Sequence, residues 1–351
     1  MYTQKIAFSL LAFFIIIAGS AIGVVTHKKD FFGNTLVSQT RAEAVTAVVV
    51  DPPTTTTTQK KVTVLASTTS NDTKTLNHRV ATAASTTALY SITPNTEKIS
   101  KPIRVLVVAG HEPTYGGAEY RNLKERNMTL AVSEYLRSYF ASNPKFEVIV
   151  VRDQEGWSPL FSSYFQTNAT ATKNFYLSHR ALMSQQVANG EIIPFVGVPH
   201  NAAPEAVALH LYGINAWANE HDIDVVLHLH FNDAPRQDAS VPGKYSGVAL
   251  YVPEHQYKNS STSKAIARSV FPYLVQYSAT STLPTESLGI IEDQELIALG
   301  KYNTLNVPSL LIEYGYIYEN KFQNPAGSDV LFKQFALETY AGVVQYFAGA
   351  Q

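Results

Sequence analysis

The stretch that decides the fold is Ile103-Arg104-Val105-Leu106-Val107-Val108-Ala109, which is followed at once by Gly110-His111-Glu112. The mostly apolar run predicts a strand that is buried on both faces of a sheet. Ligands in open α/β sheets bind outside the carboxyl ends of the strands. A histidine directly after such a strand therefore stands where a site is expected, and we take this strand end as the organising feature of the chain.

A helix and a second strand follow this strand in the sequence. The segment from Lys124 to Ala141 carries Met128, Val132 and Leu136 at helical spacing. The run Phe146–Val151 then predicts another strand. A strand, a helix and a strand in succession predict a parallel pair joined by a right-handed crossover.

Strands and helices continue to alternate toward the carboxyl terminus. We predict strands at residues 223–231, 247–252 and 308–314, and helices at residues 175–189, 204–219, 263–277, 293–305 and 329–347. This alternation predicts one α/β domain, residues 101–351, with a mostly parallel sheet flanked by helices. The segment 154–203 is less regular, and an autoinhibitory insertion is one reading of it.

The first 29 residues contain an uncharged apolar run, Ile6–Val25. A helix of about 20 apolar residues spans the roughly 30 Å core of a bilayer, so the run predicts a transmembrane anchor. A cleaved signal peptide is the alternative, since Lys5 precedes the run and small residues lie near its end. Under both interpretations the rest of the chain is exported to the cell envelope, and it is secreted if the run is cleaved.

Residues 30–100 are rich in Thr, Ser, Ala and Val and include the run Thr54–Thr58. Periodic apolar patterning is poor here, so the segment cannot bury enough apolar surface to offset the loss of chain entropy. We therefore predict a disordered linker between the N-terminal segment and the domain.

The composition excludes several kinds of site. The formal net charge is −1, which argues against a nucleic-acid partner held by a basic face. The chain has no cysteine, so disulfides, thiolate metal ligands and cysteine nucleophiles are excluded. A metal ion in this protein must be held by His, Asp or Glu.

Residues that can bind a metal ion or transfer a proton lie at or just after the ends of three predicted strands. These residues are His111 after the first strand, His228 and His230 in the third, and Glu313 in the last. Glu125 adds a carboxylate on the apolar stripe of the first helix, where burial is costly unless the charge is paired or bound to a metal. Two histidines, a carboxylate and a water form a catalytic zinc shell, and a further carboxylate can act as the base.

Each of these residues also has an ordinary structural interpretation. Glu125 could favour the helix N-terminus through its charge or pair with a neighbouring arginine. His111 could be a hydrogen-bonded loop residue, and Glu313 could form a buried salt bridge. His228 and His230 lie on one face of a strand and could both be hydrogen-bonded core histidines.

Five short motifs together resemble the zinc-dependent N-acetylmuramoyl-L-alanine amidases of the amidase type 3 family. The resemblance spans residues 101–350 and is carried by Gly110-His111, Gly116-Gly117-Ala118, the segment 124–130, His228-Leu229-His230-Phe231-Asn232 and the segment 307–316. It implies Zn²⁺ as the cofactor, with His111, Glu125 and His230 as ligands and Glu313 as the catalytic residue. It also implies hydrolysis of the amide between N-acetylmuramic acid and L-alanine in peptidoglycan.

The chain departs from the family pattern at several positions. Ala109 replaces the usual Asp before Gly-His, Glu112-Pro113-Thr114-Tyr115 replaces the usual Gly-Gly stretch, and Phe231 replaces a small residue. These departures concern substrate detail more than the metal site, because all four metal-site positions are filled. Glu112, Glu119 and His200 are further candidates for polar groups of the cleft.

Two other functions stay open at the level of the sequence. One is a zinc peptidase or deacylase that acts on another amide, because fold does not determine substrate. The other is a non-catalytic wall-binding module or a regulator of another hydrolase, although such a protein has no need of Glu313. The sequence also leaves open whether a separate partner protein activates this domain.

Overall fold

The computed structural model describes residues 27–29, 35–37 and 101–349. The predicted anchor Ile6–Val25 lies outside these residues, and so does the predicted linker except for residues 35–37. Two short strands, β1 (His27–Lys29) and β2 (Thr35–Val37), pair in an antiparallel hairpin. Within the described ranges, no helix combines the length and the apolar character needed to cross a bilayer.

The part of the chain from residue 101 onward alternates strands and helices. Its strands are β3 (Ile103–Ala109), β4 (Glu119–Tyr120), β5 (Leu123–Lys124), β6 (Phe146–Val150), β7 (Arg152–Asp153), β8 (Gly156–Trp157), β9 (Val225–Asn232), β10 (Ala249–Pro253), β11 (Ile290–Asp293) and β12 (Ser309–Tyr316). Its helices are α1 (Glu125–Ala141), α2 (Pro159–Ala188), α3 (Glu205–Glu220), α4 (Ser260–Leu274) and α5 (Pro325–Gly349). Short 3₁₀ turns lie at Pro284–Glu286, Ile297–Leu299, Lys301–Asn303 and Asn320–Phe322.

Six of these strands form one sheet in the order β11-β10-β12-β9-β3-β6. Strands β12, β9, β3 and β6 run parallel, whereas β10 is antiparallel to β12 and parallel to β11. The predicted α/β class with a mostly parallel sheet is confirmed. The carboxyl ends of β3, β9 and β12 therefore lie together at one end of the strands, while the carboxyl ends of β10 and β11 lie at the opposite end.

Helices cover both faces of this sheet. Alternate residues of β3 enter two separate cores, because successive side chains of a strand point to opposite faces. Val105 and Val107 pack with apolar residues of α1, α4 and α5. Leu106 and Val108 pack with apolar residues of α2 and α3. The sheet is thus buried on both sides, as its near-continuous apolar strands require.

Two predicted elements differ from the structure. Helix α2 begins at Pro159, well before the predicted start at residue 175. Its buried side chains are few and widely spaced, and the Ser, Thr and Asn residues between them hide the helical period. The predicted helix at 293–305 is wrong, because Gly300 and Tyr302 adopt positive φ and divide the segment into two 3₁₀ turns.

Candidate metal centre

His111 lies directly after β3, in a turn that needs unusual backbone conformations. Its φ is 71°, in the left-handed region that few non-glycine residues adopt. The neighbouring Gly117 has a φ of 82°, and a Cβ there would lie 2.7 Å from His111 Cδ2. A Cβ on Gly110 would lie 2.5 Å from Cε1 of His230. The two glycines therefore let the backbone approach the imidazoles closely.

Glu125 is the first residue of α1, and only 4% of it is exposed. Its Oε2 accepts a hydrogen bond from the backbone N–H of Ala118 at 2.8 Å. Its Oε1 accepts one from the backbone N–H of Phe231 at 3.0 Å. The carboxylate is therefore held from two sides, and its position does not depend on a cation.

Three side chains lie close together at the carboxyl ends of β3 and β9, and we call them the His111 cluster: His111, Glu125 and His230. Their ligand atoms all lie within 4.8 Å of one another. Glu125 Oε1 lies 2.8 Å from His111 Nε2 and 3.0 Å from His230 Nδ1. Within the part of the chain that the structure describes, His111 Nε2 is nevertheless buried without a hydrogen-bond partner. A buried imidazole nitrogen that faces a carboxylate but makes no hydrogen bond to it is what a metal ligand needs, so the residues fit a divalent ion.

The protonation states of the cluster suit metal binding. Burial lowers the pKa of His230, which favours the neutral imidazole, the form that binds metals. Burial by itself would raise the pKa of the Glu125 carboxyl, but the adjacent His111 and His230 outweigh it and hold that pKa below its usual range. The cluster therefore presents two nitrogen donors and one carboxylate.

Glu313 lies on β12, directly across from His230 on β9. Its Oε2 is buried and has no hydrogen-bond partner among the described residues. Burial, with contributions from Glu125 and Glu286, raises the pKa of the Glu313 carboxyl well above its ordinary value. A carboxyl group with a raised pKa and an unpartnered oxygen is suited to accept and return a proton.

Arg152 supports the site from below and was not among the sequence candidates. The side chain is fully buried. Its Nε donates to the carbonyl of Ala109 at 3.0 Å, and its Nη2 donates to the carbonyls of Gly110 and Arg126, each at 2.7 Å. It ties the end of β3 to the first turn of α1, the two places that supply His111 and Glu125. Its position just after β6 was the available signal, since it is one more polar residue at a strand end.

Glu286 was also missed by the sequence reasoning. Its Oε1 accepts hydrogen bonds from Tyr251 at 2.6 Å and from Asn232 at 2.8 Å. Its Oε2 accepts from Ser281 at 2.5 Å and from Tyr316 at 2.9 Å. This buried carboxylate ties the carboxyl ends of β9 and β12 together close to Glu313. No local pattern marks it, because it lies on a short 3₁₀ turn far away in sequence.

The remaining sequence candidates lie outside the His111 cluster. His228 is 1% exposed, and burial lowers its pKa to about 3, so it is a neutral core residue. Glu112 pairs with His210 at 2.9 Å, Glu119 pairs with Arg126 at 2.7 Å, and His200 pairs with Asp293 at 2.9 Å.

A sequence model of the family described as N-acetylmuramoyl-L-alanine amidase matches residues 105–345. No curated protein matches the chain.

Several solved structures are similar to the chain. The CwlD amidase from Clostridioides difficile, in complex with the GerS lipoprotein, is 16% identical with a TM-score of 0.47, over 70% of this chain and 99% of that one. The catalytic domain of CwlV, an N-acetylmuramoyl-L-alanine amidase from Bacillus (Paenibacillus) polymyxa var. colistinus, is 17% identical with a TM-score of 0.44, over 70% and 98%. The amidase Ami1 from Mycobacterium smegmatis is 13% identical with a TM-score of 0.45, over 71% and 98%.

Proposed function

Because the chain belongs to the N-acetylmuramoyl-L-alanine amidase family, we propose that its His111 cluster holds the zinc ion with which it hydrolyses peptidoglycan. The bond cleaved is the amide between the lactyl group of N-acetylmuramic acid and the L-alanine of the stem peptide. His111 and His230 supply the nitrogen ligands, and Glu125 supplies the carboxylate. When bound, zinc polarises a scissile carbonyl and lowers the pKa of water at the site.

Glu313 acts as the general base and then as the general acid. Its unpartnered Oε2 accepts a proton from the attacking water. The same oxygen then returns the proton to the amide nitrogen as the carbon–nitrogen bond breaks, which frees the amino group of L-alanine. The raised pKa of Glu313 favours the protonated form of the carboxyl, which this second step requires.

One observation carries this proposal beyond metal binding alone. A carboxylate oxygen that is buried without a donor costs stability, and a domain that only binds the wall has no use for it. Placed across the β9–β12 pair from a metal ligand, the same oxygen is what a hydrolase needs. The pairing of Glu313 with the His111 cluster therefore supports a hydrolase over a binding module.

Analysis of the products released from purified peptidoglycan tests the function. We expect stem peptides that begin with a free L-alanine amino group, and glycan strands whose muramic acid keeps its carboxyl. Removal of zinc by a chelator should abolish release, and added zinc should restore it. Cleavage within the stem peptide would instead identify a peptidase, and binding to the wall without any cleavage would identify a binding module.

Peptidoglycan lies outside the cytoplasm, so the catalytic domain acts there. We further propose that Ile6–Val25 tethers the domain to the membrane and that residues 30–100 form the linker that lets it reach the wall. Support for both comes from the sequence alone. Fractionation of cells that produce the full chain, against a variant without residues 6–25, tests the tether: the full chain should sediment with membranes. Release of the full chain into the medium would show a cleaved signal instead.

A further inference from the structure

A second group of residues that can bind a metal ion lies at the opposite end of the strands, at the carboxyl ends of β10 and β11. We call it the His255 cluster: Glu254, His255 and Glu292. Glu254 and His255 directly follow β10, and Glu292 lies on the edge strand β11. In β10, Ala249 is the residue that pairs with Glu313. Since a strand rises about 3.3 Å per residue, Glu254 lies roughly 16 Å from that pair. The two clusters are therefore separate sites.

Glu254 presents an unusual carboxylate for a residue at a sheet edge. Only 1% of the residue is exposed. Its Oε2 accepts three hydrogen bonds, from the backbone and side-chain N–H groups of Gln256 at 3.1 Å each and from the side chain of Gln294 at 2.8 Å. Its Oε1 is buried, and no residue in the described ranges forms a hydrogen bond with it. The donors on Oε2 hold the carboxylate so that Oε1 points toward His255.

The imidazole of His255 faces two carboxylates with a single nitrogen. Its Nδ1 lies 2.5 Å from Glu254 Oε1 and 3.1 Å from Glu292 Oε2. Only the contact with Glu292 has hydrogen-bond geometry. The single N–H at Nδ1 can donate to only one of these oxygens. When it donates to Glu292 Oε2, Glu254 Oε1 stays buried beside the imidazole without a hydrogen bond.

We propose that the His255 cluster binds a divalent transition-metal ion, separate from the ion of the His111 cluster. Glu254 Oε1, His255 Nδ1 and Glu292 Oε2 are the ligand atoms. A mixed set of one imidazole and two carboxylates suits zinc and its first-row neighbours, whereas Mg²⁺ and Ca²⁺ prefer oxygen ligands alone. His255 is 74% exposed in its side chain, so the remaining coordination positions are open to water.

Lys264 limits the charge of this site without occupying it. Its ammonium on α4 pairs with Oε1 of Glu292, which leaves Oε2 for the ion. The backbone N–H of His255 also donates to Glu292 Oε2 at 3.2 Å. Two carboxylates and one ammonium give a net charge of −1, which still attracts a divalent cation.

The ion would act on structure rather than on chemistry. Gln256 and Gln294, the donors to Glu254, also bond to the backbone carbonyl of Ile193 at 2.9 and 3.1 Å. A metal bound by Glu254 and Glu292 therefore connects the turn after β10, the edge strand β11 and the loop that follows α2. The described residues place no unpartnered buried carboxylate other than the ligand Glu254 in this cluster, so it lacks the base that Glu313 supplies to the other site.

Zinc content of the untagged full chain tests the proposal. Protein stripped by a chelator is reloaded with excess zinc, desalted and measured by mass spectrometry of the metal. We expect about two zinc ions per wild-type chain and about one in His255→Ala, with hydrolysis of peptidoglycan unchanged. His200→Ala is the matched control, because His200 pairs with a single carboxylate on the same edge strand and should keep both ions.

A second measurement isolates the site from the catalytic metal. In His111→Asn, zinc should raise the melting temperature through the His255 cluster alone, because ligand that binds only the folded state stabilises it. The double variant His111→Asn/His255→Ala should show no zinc-dependent rise. One zinc per wild-type chain, or equal zinc in wild type and His255→Ala, would overturn the proposal and identify an ordinary ion-pair network. Loss of the proposed function would appear instead as absent hydrolysis in the wild type, whatever its zinc content.

Discussion

The His111 and His255 clusters contain the same residue types, Glu and His, at opposite ends of the strands of one sheet. They differ in the residues that surround them. In the His111 cluster the side chains of both histidines are mostly buried, at 25% and 17% exposed. The side chain of His255 is 74% exposed. The His111 cluster has the unpartnered carboxylate of Glu313 across the strand pair, whereas the His255 cluster has the ammonium of Lys264 on one of its own ligands.

This difference separates metal binding from catalysis. Metal binding needs only suitably placed ligand atoms, such as those of Glu and His side chains. Hydrolysis also needs a group that can take up and return a proton, and Glu313 is free to do so because no other described residue forms a hydrogen bond with its Oε2. An ammonium has the opposite effect, because it stabilises the charged form of the carboxylate with which it pairs.

Glu313→Gln should produce the largest effect, because it removes the proton-transfer group that distinguishes the His111 cluster from the His255 cluster. We expect the turnover of peptidoglycan to fall by about 10²–10⁴-fold, the usual contribution of a general acid–base group, while zinc content stays at the wild-type level. Glu292→Gln is the control carboxylate from the other cluster and should hydrolyse normally. Equal turnover in Glu313→Gln and wild type would remove Glu313 from the mechanism.

Arg152→Met tests how the His111 cluster is held. The substitution removes the hydrogen bonds that the buried guanidinium donates to the carbonyls of Ala109, Gly110 and Arg126, and a hydrogen bond from a charged group contributes about 1.5–3 kcal/mol. We expect the free energy of unfolding to fall by about 3 kcal/mol or more in urea titrations. Arg137→Met, at a half-exposed ion pair on α1, should change it by less than about 1 kcal/mol. Similar small changes in both variants would contradict a supporting role for Arg152.

Glu338 on α5 is a useful comparison for Glu313, because its carboxylate is buried with an unpartnered Oε2, while the described residues place no group of metal ligands beside it. Burial raises its pKa from 4.5 to about 7. Between these values the folded chain keeps a proton that the unfolded chain releases, so stability falls as pH rises from about 4.5 to about 7. The full loss is up to about 3 kcal/mol.

Glu338→Gln should reduce this pH dependence. The free energy of unfolding of the variant, relative to that of the wild type, should therefore be higher at pH 8 than at pH 5. Unfolding free energies measured at both pH values check the expectation, with the exposed Glu155→Gln as a control. An unchanged difference between the two pH values in Glu338→Gln would show that the carboxyl titrates normally. It would also weaken the argument that burial is the main cause of the raised pKa of Glu313.

Lys264→Met should give the smallest effect and concerns the His255 cluster. Removal of the ammonium leaves Glu292 more available to a metal ion. Since a partly exposed ion pair contributes up to about 1 kcal/mol, zinc affinity at this cluster should rise by up to about fivefold. Competition with a zinc indicator in the His111→Asn background measures it, and Lys258→Met provides a nearby control. A lower affinity in Lys264→Met would contradict competition between the ammonium and the metal.

Periodicity and strand ends predicted much of the fold from the sequence. The strand Ile103–Ala109 is found at the predicted residues, because a run of apolar side chains buried on both faces is a local signal. The same reasoning named His111, Glu125 and His230, which the structure brings together. Their role as zinc ligands stays a prediction.

What the sequence could not show depends on contacts between distant segments. Arg152 and Glu286 matter because of carbonyls and hydroxyls that the fold brings to them from other strands and helices. The first half of α2 was missed because its buried face is narrow. The His255 cluster joins residues 254 and 292 only after β10 and β11 pair.

Hydrolysis by His111→Asn, measured beside His255→Ala at one zinc concentration, tests the central claim most directly. Asparagine is chosen because it tolerates the positive φ of residue 111, so the turn can form without the imidazole. The measured quantity is the rate at which amino-terminal L-alanine appears from purified peptidoglycan. The account predicts loss of this rate in His111→Asn and the wild-type rate in His255→Ala. A wild-type rate in His111→Asn, or an equal loss in both variants, would contradict it.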